Sequence, residues 1–243
     1  MKIIFAPAKE MKIDKISTEK PIYAVTTQAI IQTLQAQSDD QLKKLYKISD
    51  QQVSRVKDYI RQLNTGPAYQ ALDLYNGLAF RQIDVDPANP EIASYLDQHF
   101  RILSALYGPV KATDPIRPYR LDFNTPLKVD GQNLRNLWGS DFNAFFEKGE
   151  TVLNLASQEF SGMLDQDRYH WVDFEFYEYD PNKIDGLKKH STISKKGRGK
   201  MVAFLASNQI KNLTDIQKFD ADGYQFDLDH SNDKKFVFIK QRS

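Results

Sequence analysis

Apolar positions recur along this chain with two periods, and the places where the period changes mark its elements. Lys2 to Phe5 opens with the unbroken run Ile3-Ile4-Phe5, stopped by Pro7, and reads as a buried first strand. The loop Ala6-Pro7-Ala8-Lys9-Glu10-Met11 leaves it. Between Thr26 and Gln37, and again from Asp39 to Leu63, the spacing turns helical: Ile30 and Leu34, then Leu42, Leu45 and Tyr46, then Val53, Val56, Tyr59, Ile60 and Leu63. Ser49-Asp50 interrupts the second stretch with a cap pair, so three helices are expected before Gly66-Pro67.

Ala68 to Leu78 reads as a short helix and its exit, and Pro87 to Pro90 as a loop. Ile92, Tyr95, Leu96, His99, Phe100, Leu103 and Leu106 predict one amphipathic helix over Glu91 to Leu106, stopped by Gly108-Pro109. After a proline-rich stretch with Pro115, Pro118 and Pro126, Asn136 to Glu147 is expected as helix and Thr151 to Leu155 as strand, with Ser157 placed to cap the next element. The alternation of aromatics and acids from Trp171 to Tyr179 predicts a strand, and Met201 to Ile210 a helix. Tyr224 to Leu228 pairs with Lys235 to Lys240 as a closing hairpin, Asp227 to Asp233 being its polar turn. The sum is an α+β chain, a compact mixed sheet flanked by helices, expected as a single elaborated domain over residues 1–243.

Composition narrows the class. At 41% hydrophobic and 27% charged the chain has an ordinary globular balance, which argues against wholesale disorder. The apolar run at the start is too short for a signal sequence or a membrane span, and the lack of cysteine removes disulfides and thiolate chemistry, so a cytoplasmic protein with no membrane partner is expected. A net charge of +1 means that any anion-binding surface is a local patch.

The sharpest local anomaly is Ser194-Lys195-Lys196-Gly197-Arg198-Gly199-Lys200, with Lys188 and Lys189 just upstream. A solvated charge run is the plain reading. Against it, cations at the start of a helix over Met201 to Ile210 would face the positive end of its dipole, a penalty that a bound anion would remove, with Gly197 and Gly199 letting the backbone approach it. The run is neither a nucleotide P-loop, since Ser194 stands where its first glycine belongs, nor a dinucleotide fingerprint.

Leu103-Ser104-Ala105-Leu106-Tyr107-Gly108 has the pattern of a tight helix-ending hairpin, whose amides can serve a phosphate, or of a simple glycine cap. Downstream, Arg117 and Arg120 flank Tyr119, two guanidinium forks beside a ring able to stack on a base. Two loops that follow strands carry the third group: Lys9 after the first, and Asn154, Ser157 and Glu159 at the end of another. If those strands are parallel neighbours the loops open at one sheet edge; otherwise Ser157 and Glu159 merely cap a helix and complement its dipole. His99, His170, His190 and His230 match no zinc spacing, and Asp227 to Asp233 fails as a calcium loop because Asn232 replaces the required glycine, so neither metal nor cofactor is expected.

Ala6-Pro7-Ala8-Lys9, Leu103 to Gly108, Pro118-Tyr119-Arg120-Leu121, Leu137-Trp138-Gly139, Asn154 to Phe160, Lys195 to Gly199 and Gly223-Tyr224, in that order, resemble the YaaA peroxide-stress family over nearly the whole chain. The family usually has Ser at Ala6, Gly at Ala105 and Ala at Gly197. The resemblance implies a mixed α/β protein with a basic cleft, DNA binding through a helix-hairpin-helix-like element at Leu103 to Gly108, and a role in limiting oxidative damage by peroxide and free iron.

The expected function is therefore a DNA-binding stress protein selective for structure over sequence, its partner a duplex or distorted duplex held by Lys9, Ser104, Tyr107, Gly108, Arg117 and Tyr119, and by Arg120, Lys195, Lys196, Arg198 and Lys200; no protein partner is evident. The rival is an enzyme acting on a nucleotide or nucleic-acid base in the same cleft, with Glu159 as general base near Asn154 and Ser157. Iron sequestration fits the family's phenotype but not the ligand inventory.

Overall fold

The structure, a computed structural model, describes residues 1–86, 88–139, 141–183 and 186–240. Pro87, where the Pro87–Pro90 loop reading begins, lies outside the described residues. An eight-stranded sheet forms the centre. Its strands are β1 (Lys2–Phe5), β2 (Phe100–Ser104), β3 (Gly108–Val110), β4 (Thr151–Leu155), β5 (His170–Tyr179), β6 (Leu187–Lys188), β7 (Tyr224–Phe226) and β8 (Lys235–Lys240). The order is β7-β8-β5-β4-β1-β2-β3, with β6 on the far part of β5. From β8 to β2 all neighbours run parallel, and antiparallel strands close both edges. Ile3, Ile4 and Phe5 are at most 1% exposed, as a central parallel strand covered on both faces requires.

Helices α1 (Val25–Gln35), α2 (Asp39–Tyr46) and α3 (Asp50–Thr65) follow β1, α4 (Pro90–His99) precedes β2, and α5 (Ser191–Ser207) packs on β5. The start of α2 is fixed by a capping box: Ser38 Oγ accepts from the Gln41 amide while Gln41 Oε1 accepts from the Ser38 amide at 2.7 Å. The three-helix reading, the Thr151–Leu155 and Trp171–Tyr179 strands and the closing hairpin all match these elements. Among the described residues no helix is long and apolar enough to cross a membrane.

Three expectations change. The helix read over Glu91–Leu106 ends at His99, and Phe100–Ser104 is a strand paired with β1 in the register Ile3↔Phe100. A dense apolar run satisfies helix and buried strand alike, and pairing with β1 decides it. The helix-hairpin-helix-like element at Leu103–Gly108 is accordingly a β-hairpin between β2 and β3, whose left-handed residue is Gly108 (φ 77°) and not Ala105. Asn136–Glu147 divides into two short helices, Leu134–Trp138 and Asp141–Ala144.

The third change concerns the basic run. α5 begins at Ser191, where His190 accepts a hydrogen bond from the Ile193 amide, so Lys195 to Lys200 lie inside the helix and the argument from its N-terminal dipole falls away. Gly197 and Gly199 are buried and serve packing. A Cβ at Gly197 would strike the Phe176 ring of β5, and one at Gly199 would strike the Ala79 carbonyl and come 2.7 Å from Gln82 Cβ. Their bareness lets α5 lie flat against β5 on one side and the Phe80–Gln82 turn on the other.

Candidate functional site

Chain order makes a switch point between β1 and β4. From β1 the chain crosses to β2 on one side, then returns to place β4 on the other, so the loops after β1 and β4 leave the same sheet edge in opposite directions. Crevices at such points, beyond the carboxyl ends of parallel strands, are where open α/β sheets bind ligands. A cleft of about 480 Å³ lies there, walled by Ala6–Glu10, Gly77–Arg81, Asp122, the Leu155–Phe160 loop, and Lys195 and Arg198 of α5. That volume suits a small organic ligand.

Each wall is held by identifiable contacts. Asn154 accepts from the Ala156 amide at 3.0 Å and donates to Asp173 Oδ1 at 2.8 Å, an oxygen that also accepts from Trp171 Nε1, so Asn154 shapes the loop from beneath and does not line the cleft. Ser157 stands before the helical turn Gln158–Ser161 and lines the cleft, and its hydroxyl makes no cap bond. Glu159 Oε1 accepts from the Asn124 amide at 3.1 Å, and Arg135 ties that loop down by donating to the Glu159 carbonyl at 2.9 Å. Lys195 and Arg198, one helical turn apart, reach the cleft from the same face of α5.

The electrostatics are asymmetric. Four cationic side chains line the cleft with three acidic ones, and two cations are already matched: Lys9 to Asp122 at 2.9 Å and Arg81 to Glu10 at 3.0 Å. Lys195 and Arg198 have no carboxylate within 4.0 Å among the described residues. Arg198 stands out because its Nε is buried with no hydrogen-bond partner. Burial pulls its pKa below the usual guanidinium value, against the attraction of Asp173 and Glu175. Arg198 is half-buried and lines the cleft, and a guanidinium there without a paired carboxylate is a receptor for an anion.

Lys9, Ser157, Glu159, Lys195 and Arg198 thus meet in one place although far apart in the chain. Other candidates go elsewhere. Ser104 is fully buried, and its Oγ accepts from the amides of Leu106 and Tyr107, which leaves those amides no phosphate to serve. Tyr119 is 4% exposed and its hydroxyl joins Ser104 at 2.7 Å and Tyr75 at 2.8 Å; Gly108 lies buried against Trp138. The Tyr107 hydroxyl bonds the Arg117 backbone. Arg117, 6% exposed, donates to the carbonyls of Leu63 and Gly66 and to Tyr23, capping the negative end of α3. These five residues are core and cap, because a hairpin closing a buried sheet turns its polar groups inward where they must satisfy one another.

Arg120 lies behind the cleft, along a narrow void that Lys9 and Asp122 also border. Lys196 is exposed and does not line the cleft, and Lys200 pairs with Asp222 at 3.8 Å. Sequence reading missed Glu10, Asp122 and the Gly77–Arg81 wall; the Arg81–Glu10 pair spans 71 residues and leaves no local trace. Among the described residues no group of three or more histidine and acidic side chains could hold a metal.

The family model described as "Peroxide stress protein YaaA" matches residues 1–230. The chain is 36% identical over 217 residues to a UPF0246 protein of Streptococcus uberis, covering 88% of each chain. Another UPF0246 protein, from Streptococcus gordonii, is 35% identical over 245 residues, 99% of each chain, and one from Fusobacterium nucleatum is 32% identical over 254 residues, covering both in full.

Proposed function

The chain belongs to the peroxide stress protein YaaA family, and on that premise we propose that it acts in peroxide stress by holding a phosphate-bearing nucleic-acid component, DNA or a nucleotide, in the cleft at the β1/β4 switch point. The observation that carries this reading is Arg198: a half-buried cation lining the cleft, with no carboxylate within 4.0 Å among the described residues. Burying such a group costs free energy that an incoming phosphate recovers through charge-assisted hydrogen bonds of about 1.5–3 kcal/mol each. Lys195 adds a second charge on the same side, and the exposed Lys196 extends the positive field outside the cleft. DNA affinity should fall with salt at a log–log slope of roughly −2 to −3 if two or three phosphates are neutralised. A flat response between low and physiological ionic strength refutes phosphate-led binding.

One arrangement favours a second reading, an enzyme acting on a nucleotide or base. The Glu159 carboxylate and the free Ser157 hydroxyl share the cleft with the two unmatched cations, the grouping of a proton acceptor and anion clamps that proton-transfer chemistry on a phosphorylated substrate needs. Glu159→Gln separates the readings. A binder keeps or slightly gains DNA affinity on losing a negative charge, whereas an enzyme keeps binding and loses product formation when nucleotides and DNA are incubated and analysed by mass spectrometry.

A further inference from the structure

We infer that the ligand accommodated by this cleft is a single nucleotide bearing one phosphate, a nucleoside 5′-monophosphate; the inference rests on the phosphate reading above and specifies its substrate class. Charge count is the first argument. With Lys9 and Arg81 matched by Asp122 and Glu10, Lys195 and Arg198 remain beside the one unmatched carboxylate of Glu159, and a single phosphate group engages both cations. Each further phosphate would bring negative charge beside the unmatched Glu159, with no unpaired cation left among the lining residues to receive it.

The rest of the lining supplies the second argument. Pro7, Leu78, Phe80, Leu155 and Phe160 give the cleft apolar walls, and a bare phosphate would leave these uncovered while the flat face of a base covers them. Between the apolar and cationic regions stand acceptors for a nucleoside's own donors. Glu159 uses one carboxylate oxygen on the Asn124 amide, the other has no partner among the described residues, and the Ser157 hydroxyl is free to accept or donate. Amino groups of a base and hydroxyls of a sugar are the donors those atoms suit. A volume of about 480 Å³ suits one such unit.

Isothermal titration of the full chain with adenosine and uridine, their 5′-mono-, di- and triphosphates, ribose 5-phosphate and inorganic phosphate tests this. The monophosphates are expected to bind about tenfold or more tighter than the matching nucleosides and than inorganic phosphate, the di- and triphosphates no tighter than the monophosphates, and Lys195→Met to weaken monophosphate binding about tenfold. Lys195 is exposed, so this variant keeps the fold. Triphosphates binding tenfold tighter than monophosphates would overturn the charge match, and equal affinity for inorganic phosphate and monophosphates would overturn the nucleoside assignment, both leaving the phosphate reading intact. If no phosphate compound binds, that reading falls, and this inference with it.

Discussion

Arg198→Met should make the protein more stable and less able to bind phosphate, and the opposite signs are the test. In the wild type the charged guanidinium is disfavoured by the fold, since burial outweighs the attraction of Asp173 and Glu175 and depresses its pKa. Its Nε adds an unanswered buried donor. Methionine keeps the apolar stem and removes both liabilities. An unsatisfied buried polar group costs about 1–3 kcal/mol, and the attraction lost from the two acids offsets part of the gain, so the expected net stabilisation is about 1 kcal/mol. For a chain of this length that raises Tm by roughly 2–4 °C. Differential scanning fluorimetry with and without phosphate at roughly a hundredfold its Kd would show a rise of several degrees in the wild type and little in the variant. A variant that melts lower than wild type while keeping its phosphate response would mean that Arg198 is a structural residue, and the cleft would lose its anion receptor.

Gly199→Ala should destabilise more than Gly197→Ala, because its Cβ meets the Ala79 carbonyl, which is backbone, whereas Gly197 faces the Phe176 ring. Overpacking costs about 1–3 kcal/mol against roughly 1 kcal/mol gained in helix propensity, and in a double-mutant cycle read by chemical denaturation Phe176→Ala, which removes the Cγ and Cδ1 met by the new Cβ, should couple favourably to Gly197→Ala but not to Gly199→Ala. Tyr119→Phe strips the hydroxyl joining Ser104 and Tyr75 and should cost about 1–3 kcal/mol with no change in phosphate affinity by calorimetry; a binding defect without a stability loss would return Tyr119 to the site. His99 has a depressed pKa, first from burial and then from the N-terminus, Lys2 and Lys211, while its Nδ1 sits 2.8 Å from the Met1 carbonyl. The unfolded chain takes up that proton first, so stability present above about pH 6.5 should decline as pH falls, and His99→Gln should flatten a Tm profile measured from pH 7 to 5.

What the sequence alone determines here is whatever depends on neighbours along the chain. Helical spacing, the Ser49 start, the apolar run at Ile3–Phe5 and the aromatic alternation of β5 are local signals, and each yields its element. The two post-strand loops carrying Lys9, Ser157 and Glu159 are legible for the same reason, with their meeting conditional on parallel pairing of β1 and β4. Tertiary structure decides the rest. Phe100–Ser104 is strand because β1 offers it a partner, and Ser104, Arg117 and Tyr119 turn inward because a buried hairpin and a helix end consume their polar groups. Gly197 and Gly199 look like a ligand loop in one dimension and are contact points between packed elements in three. Which cations stay unmatched is likewise invisible in the sequence, since the partners of Lys9 and Arg81 come from distant segments and only folding fixes who neutralises whom.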